Sequence, residues 1–198
     1  MIIGLTGGVG SGKSTVADLL VKKYDFSLLS TDDIAKKVMA EDSSVRRKLC
    51  EVFGSEIYDA CGKLDRKKYS SCLYAAPENK ELSDSIIHPA VWSKVKAEIA
   101  RLQAEYGKEK NILIETAIPG NVLTELSDEV WYVYVDPSER IRRLSETRGY
   151  TEEYSRRIMQ NQPSDEEYFR DSDRVLNNNG TLEEMEEQIA LLMEEIQK

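Results

Sequence analysis

The chain alternates short apolar runs with longer stretches in which apolar residues recur at helical spacing. Short runs rich in β-branched and aromatic residues are typical of buried strands, whereas apolar residues every three or four positions predict amphipathic helices. Such an alternation predicts a three-layer α/β/α fold with a mainly parallel sheet of about five strands. The apolar runs are Ile2–Leu5, Phe26–Ser30, Asn111–Glu115, Val130–Val135 and Val175–Leu176.

A glycine-rich segment, Gly7–Ser14, follows the first run and matches G-x-x-x-x-G-K-[ST] in full. Glycines let successive backbone N–H groups turn toward a phosphate, and the following helix presents its positive dipole end to the same anion. Lys13 is expected to reach the β- and γ-phosphates, and the Ser14 hydroxyl to ligate Mg²⁺. The sequence therefore predicts a P-loop domain that binds a nucleoside triphosphate. The predicted nucleotide-binding residues are Gly8, Val9, Gly10, Ser11, Gly12, Lys13, Ser14 and Thr15.

Acidic residues follow two of the other predicted strands. Asp32 and Asp33 come directly after the second run, and Glu115 ends the third. Ligands of open parallel sheets bind outside the carboxyl ends of the strands, so one of the aspartates is expected near the phosphates. Glu115 is expected to orient Mg²⁺ through water. The alternative for the aspartates is to cap a helix that starts at Ile34, and both roles can coexist.

Two long segments interrupt the predicted sheet. Residues 36–107 contain no clear parallel strand and are predicted to form a helical insertion. Residues 139–171 are rich in arginine with interleaved acids, which fits either a solvated helix pair or a mobile lid that brings an arginine to the phosphates. Arg148, beside Gly149, is the leading lid arginine, followed by Arg143. The predicted single P-loop domain has its core at 1–35, 108–138 and 172–198.

The composition of the chain indicates which partners and which cellular compartment to expect. The net charge of −9 argues against a general nucleic-acid binder, which needs clustered Lys and Arg. No apolar run approaches the roughly 20 residues that span a bilayer, and the chain start leaves no room for a signal peptide. The three cysteines lack CxxC spacing and are expected to be reduced thiols. We expect a cytoplasmic protein without membrane partners, monomeric or weakly homo-oligomeric.

Several segments together resemble the dephospho-CoA kinase family, which catalyses the last step of coenzyme A biosynthesis. The segment Gly4–Val16 is similar to the opening of that family almost residue for residue. Ser30–Lys36 resembles its D-A-D-x-I-A-R pattern, with Ser30 and Lys36 replacing the first aspartate and the arginine. Three further segments resemble the family's G-x-L-D-R turn, its H-P motif and its ending, where a glutamine precedes D-x-V-I-x-N-x-G. They are Gly62–Arg66, Ile87–Pro89, and Gln162 with Asp173–Gly180.

The resemblance implies a transferase that uses ATP and Mg²⁺ to phosphorylate the ribose 3′-hydroxyl of dephospho-CoA. It places Asp32 on the family's presumed base. Together with Lys13 of the glycine-rich segment and Arg148, the leading lid arginine, Asp32 makes up the expected catalytic residues. The residues implied in substrate binding are Asp32, Lys36, Arg66 and His88, and those implied in ATP binding are Arg143 and Asn178. On the residues alone, His88 before Pro89 fits a structural turn. The family's D-x-P-L-L-x-E stretch appears here as Glu115–Asn121, and the spacing from Arg143 to Arg148 is one residue longer than usual.

Two other functions stay open on the sequence. One is a kinase of another small hydroxyl compound, a nucleoside or a sugar, on the same scaffold. The other is a nucleotide-switched binding protein of the GTPase type. The second is weakly supported, because Asp59–Gly62 fits D-x-x-G without a preceding apolar strand and Asn79–Leu82 lacks the aspartate of N-K-x-D.

Overall fold

A computed structural model describes residues 1–196 and contains one five-stranded sheet. The strands are β1 (Ile2–Thr6), β2 (Ser27–Ser30), β3 (Ile112–Glu115), β4 (Glu129–Tyr134) and β5 (Arg174–Asn177). Their order across the sheet is β2-β3-β1-β4-β5, and β1 pairs in parallel with β3 and β4, as does β4 with β5. The predicted five-stranded, mainly parallel sheet is therefore confirmed.

The chain divides into two compact units, and one boundary falls within the last turns of the helix Pro77–Tyr106. One unit comprises Met1–Leu29 and the chain from Leu102 onward, and the other comprises Ser30–Arg101. The second unit is helical apart from an isolated bridge between Tyr58 and Leu64. No helix within residues 1–196 is both long and apolar enough to cross a membrane. The helices are α1 (Lys13–Tyr24), α2 (Thr31–Glu41), α3 (Ser43–Phe53), a 3-10 turn (Ser55–Ile57), α4 (Arg66–Leu73), α5 (Pro77–Tyr106), α6 (Asn121–Leu126), α7 (Pro137–Arg148), α8 (Glu152–Gln160), α9 (Asp165–Arg170) and α10 (Leu182–Ile196).

Side chains of β1 alternate between the two faces of the sheet, as the pleat of a strand requires. Ile3 and Leu5 are fully buried in one cluster with apolar residues of α1 and α10. Gly4 faces the other way, and a Cβ there would come within 2.9 Å of Leu123 in α6. Helices therefore cover both faces, which gives the predicted three layers, and the small residue in β1 lets α6 pack closely.

The last helix also contacts the edge strand β5. A capping box stands at its start, because Glu184 N–H donates to Thr181 Oγ1 at 3.2 Å and Thr181 N–H donates to Glu184 Oε2 at 2.8 Å. One helical turn on, Gln188 Oε1 accepts from the N–H of Asn177, and its Nε2 donates to the carbonyl oxygen of the same residue, both at 2.9 Å. The side-chain amide of Gln188 thus forms hydrogen bonds with both backbone groups of Asn177 on the outer side of the edge strand β5.

Two local predictions are wrong, and one helix has no counterpart among the predicted elements. Helix α2 begins at Thr31 rather than Ile34, and the short helix α6 lies between β3 and β4. His88 lies inside α5 and not in a turn, although Pro89 removes a helical N–H. The helix continues because buried apolar residues recur at helical spacing on both sides of the proline. These residues are Ile87, Val91, Val95 and Ile99.

Candidate active site

The glycine-rich segment forms the loop between β1 and α1, as predicted. Gly10 and Gly12 have φ angles of 78° and 87°, in the left-handed region that residues with a Cβ rarely adopt. The carbonyl oxygen of Gly12 accepts from the N–H groups of Thr15 and Val16 and so starts α1. The strand–loop–helix context that distinguishes a phosphate-binding loop from a chance match is therefore present.

Lys13 lies over this loop from the first turn of α1. Its Nζ donates to the carbonyl oxygens of Gly7 and Gly8, the latter at 3.2 Å. The ammonium charge is therefore held at the same loop whose N–H groups are predicted to cradle phosphates. This position suits a side chain that is expected to act on the β- and γ-phosphates.

The two predicted metal residues are in contact. Ser14 Oγ donates to Glu115 Oε1 at 3.2 Å, because Glu115 ends β3 directly beside Leu5 of β1. Both groups offer oxygen, which Mg²⁺ prefers, and Mg²⁺ is usually held by one or two protein oxygens with phosphates and water. Among residues 1–196 there is no group of three or more His, Cys, Asp or Glu side chains that could hold a metal ion. Because both groups offer oxygen, the donor chemistry of Ser14 and Glu115 fits Mg²⁺ that nucleotide phosphates help to hold.

Asn178 and Arg143 lie at the Gly12 end of the loop. Asn178 Nδ2 donates to the carbonyl oxygen of Ser11 at 2.7 Å, and a Cβ on Gly12 would overlap this amide. Arg143 Nη2 donates to the carbonyl oxygen of Asn178 at 2.7 Å, and its Nε donates to Glu139 at 2.8 Å. The structure thus brings both residues of the predicted ATP set to the loop, Asn178 directly and Arg143 through Asn178.

Two arginine partners keep the carboxyl group of Glu139 ionised down to low pH. Hydrogen bonds from Arg142 and Arg143 lower the pKa of its carboxyl group from 4.5 to about 2. The side chain of Glu139 is 23% exposed, so solvent reduces the stabilisation that this shift represents. At neutral pH the carboxylate holds the half-buried Arg143 in one orientation.

Arg140 and Gln162 contact the loop, and the sequence did not single them out as site residues. Arg140 Nε donates to the carbonyl oxygen of Val9 at 3.0 Å, and Gln162 Oε1 accepts from the N–H of Val9 at 2.8 Å. The position of Arg140 could have indicated a role at the loop, because it lies one helical turn before Arg143 on the same helix. Gln162 was part of the family resemblance but carried no role.

Arg148 ends α7 and is exposed. Its guanidinium lies 6.0 Å from the centre of the Tyr150 ring. Gly149 follows with φ 65°, which ends the helix and begins the turn to α8, as expected of a lid tip. The arginines of α7 that contact the loop or its neighbour Asn178 are Arg140 and Arg143, so a phosphate contact from Arg148 stays a prediction.

The remaining predicted residues belong to the second compact unit. Asp32 and Asp33 are the second and third residues of α2, which rules out the alternative that one of them caps a helix at Ile34; the N-cap is Ser30. Asp33 accepts from Lys36 Nζ at 2.7 Å, which lowers the pKa of Asp33. Asp32 is exposed beside this pair.

Arg66 and His88 lie on two different helices of the same unit. Arg66 is the first residue of α4, whose N-cap Asp65 accepts from the N–H groups of Lys67 and Lys68. His88 Nε2 lies 3.5 Å from Asp84 Oδ1, one turn earlier in α5. Their predicted contacts with substrate stay predictions.

Sequence comparisons with known proteins agree on one family. The sequence model described as dephospho-CoA kinase matches residues 1–184. A dephospho-CoA kinase of Corynebacterium glutamicum is 36% identical over 194 residues, which cover 98% of this chain and 98% of that protein. One from Bacillus cereus is 33% identical over 196 residues, covering 98% and 96%. The crystal structure of TT1252 from Thermus thermophilus superposes with a TM-score of 0.77 at 26% identity and covers 98% of this chain and 97% of that one.

Proposed function

Because the chain belongs to the dephospho-CoA kinase family, we propose that it transfers the γ-phosphoryl group of ATP to the ribose 3′-hydroxyl of dephospho-CoA. The observation that carries this proposal in the structure is the loop Gly7–Ser14, set between β1 and α1 with Ser14 against Glu115. The products are coenzyme A and ADP. The reaction is the final step of coenzyme A synthesis.

The nucleotide phosphates bind at the loop. Backbone N–H groups of the loop cradle the α- and β-phosphates, and Lys13 reaches the β- and γ-phosphates. Arg143 lies beside Asn178 at the start of α1, where its charge complements the triphosphate. These groups bind and orient the nucleotide, and positioning together with electrostatic stabilisation supplies most of the catalysis of phosphoryl transfer.

Mg²⁺ is the proposed cofactor. Ser14 would hold it directly and Glu115 through water, which fits their contact at 3.2 Å. When bound, Mg²⁺ would supply positive charge that offsets the negative charge of the nucleotide phosphates during transfer.

Asp32 is the proposed acceptor of the proton from the 3′-hydroxyl. The hydroxyl oxygen forms a bond to the γ-phosphorus while the bond from that phosphorus to the bridging oxygen of ATP breaks. The hydroxyl proton passes to the Asp32 carboxylate, and ADP leaves with the bridging oxygen. Because the transition state is loose, Asp32 orients the hydroxyl as well as accepting its proton. The proposed substrate contacts besides Asp32 are Lys36, Arg66 and His88.

The helical pair α7–α8 is proposed to act as the lid. Gly149 gives its tip the required left-handed turn, and lid closure excludes water from the reacting groups. In this arrangement Arg148 meets the charge that develops on the transferred phosphoryl group.

Mass spectrometry tests the reaction directly. The protein is incubated with Mg-ATP and dephospho-CoA, and we expect coenzyme A to form together with ADP. Parallel reactions replace ATP by GTP, omit the acceptor, or offer nucleosides and sugars instead. Phosphorylation of one of these compounds with no coenzyme A formed would refute the acceptor and leave a kinase. Hydrolysis of GTP alone would favour a nucleotide switch.

A further inference from the structure

Two side chains from outside the loop hold the peptide groups of Val9. The carbonyl oxygen of Val9 accepts from Arg140 Nε at 3.0 Å, and its N–H donates to Gln162 Oε1 at 2.8 Å. Arg140 Nη2 also donates to the same Oε1 at 3.3 Å. The three residues form a closed set of hydrogen bonds, which we call the Val9 clamp.

Arg140 is an unusual residue to find in this position, because only 4% of its surface is exposed. A buried guanidinium is stable only when its N–H groups are paired. Besides the clamp, its partner is Asp165, whose Oδ1 lies 3.6 Å from Nη1. Asp165 in turn accepts from the hydroxyl of Tyr132 in β4 at 2.7 Å. The clamp is therefore anchored to the central sheet.

The guanidinium lies against the loop backbone itself. A Cβ on Gly8 would overlap Arg140 Nη2, so only glycine leaves room for it. Val9 stands between Gly8 and Gly10, and glycine is the residue with the greatest backbone freedom. Contacts from outside the loop can therefore fix a position that the neighbouring glycines leave free.

We propose that Arg140 and Gln162 position the nucleotide-binding loop by fixing the peptide groups of Val9, and that Arg140 acts through Val9 and does not touch phosphate. This inference rests on the proposed function, because it concerns the same nucleotide site. The loop N–H groups cradle the α- and β-phosphates, which ADP and ATP share. Loss of the clamp therefore weakens both nucleotides by the same factor, whereas loss of a γ-phosphate contact would weaken ATP alone.

The test measures binding of Mg-ADP and Mg-ATP by titration calorimetry to the wild type and to Arg140→Met, Gln162→Met and the double variant. We expect each single variant to raise both Kd values by about tenfold or more, as loss of one or two hydrogen bonds to a charged or buried group does. The double variant should be no weaker than the weaker single one, since both residues hold Val9 and Arg140 is itself hydrogen-bonded to Gln162. Gln162→Met changes no charge, so a loss shared by both variants does not arise from charge alone.

Arg142→Met is the matched control. Arg142 lies on the same helix but is exposed and pairs with Glu139 and Glu146, so nucleotide binding should be unchanged. Thermal melts show whether each variant is folded. If Arg140→Met does not fold, the nucleotide affinities of Gln162→Met test the Val9 clamp. Folded variants with wild-type affinity for both nucleotides would overturn the clamp, as would a loss confined to ATP. A wild-type protein that bound neither nucleotide would overturn the proposed nucleotide site, and the clamp with it.

Discussion

Replacing Asp32 by asparagine removes the proposed proton acceptor while keeping its shape. The variant still forms hydrogen bonds but carries no negative charge, so it orients the 3′-hydroxyl without taking its proton. We expect kcat to fall and the Kd for Mg-ATP to stay nearly unchanged, since Asp32 faces the acceptor and not the nucleotide in the proposed mechanism. Asp33, the next residue of α2, provides a matched variant in Asp33→Asn.

The expected size follows from what each carboxylate does. A positioned general base contributes about 10²–10⁴ in rate, which corresponds to roughly 3–5 kcal/mol of activation free energy. A loose transition state places the loss near the lower end. Asp33 is bound to Lys36 in an exposed pair, with side chains 67% and 56% exposed, and such pairs contribute at most about 1 kcal/mol. Asp33→Asn should therefore leave kcat nearly unchanged.

The pair of variants also controls for stability. Both aspartates lie in the first turn of α2, where a negative charge near the helix N-terminus contributes about 0.3–1 kcal/mol. Each variant loses one such charge, so both thermal midpoints should fall. The midpoint of Asp33→Asn should fall slightly further, because this variant also loses the ion pair with Lys36. Steady-state formation of coenzyme A gives kcat, and titration gives the Kd. Equal kcat losses in the two variants would refute the assignment of Asp32 as proton acceptor.

Four further predictions concern the loop, the metal, the lid and the helix α7. Lys13→Ala should remove most turnover while circular dichroism shows an unchanged fold, because its charge acts on phosphate; near-wild-type turnover would contradict this. Ser14→Ala should raise the Mg²⁺ concentration needed for half-maximal turnover, and an unchanged Mg²⁺ titration would remove Ser14 from the metal site. Arg148→Ala should lower kcat more than it weakens ATP binding, by up to the ~10³–10⁵ that arginine fingers contribute; an unchanged kcat would return Arg148 to a solvated role. The pKa of Glu139 is lowered from 4.5 to about 2 in the folded protein. The ionised carboxylate therefore stabilises the folded state above pH 4.5, and this stabilisation is lost as the pH falls through about 2. The unfolding free energies of wild type and Glu139→Gln, from urea titrations, should therefore converge over that range, and a constant difference would contradict the ion pairs.

The sequence predicted those parts of the fold that depend on neighbours along the chain. The strand β1, the glycine loop and α1 are contiguous, so apolar spacing and a spaced motif suffice to define them. The contact of Ser14 with Glu115 was also within reach, because parallel strands bring their carboxyl ends to one edge of a sheet. The start of α2 was harder to predict, because the residues from Thr31 to Asp33 are polar and show no apolar spacing that would distinguish a helix from a loop.

The rest of the site depends on contacts that are remote in sequence. Arg140 and Gln162 lie 131 and 153 residues from Val9, and no local pattern connects them. Interleaved acids made the arginines of α7 look alike, although one is buried and another exposed. The helix α6 was missed because its six residues are too few to show a period.

The amide of Gln188 has a consequence for how molecules of this protein meet one another. An edge strand offers unpaired backbone groups to which a strand of another molecule can add, and that addition is a route to aggregation. At Asn177 both groups are already bound by Gln188, so an incoming strand would have to displace a side chain held on a packed helix. One glutamine thereby makes this point of the sheet a poor template for intermolecular β-pairing.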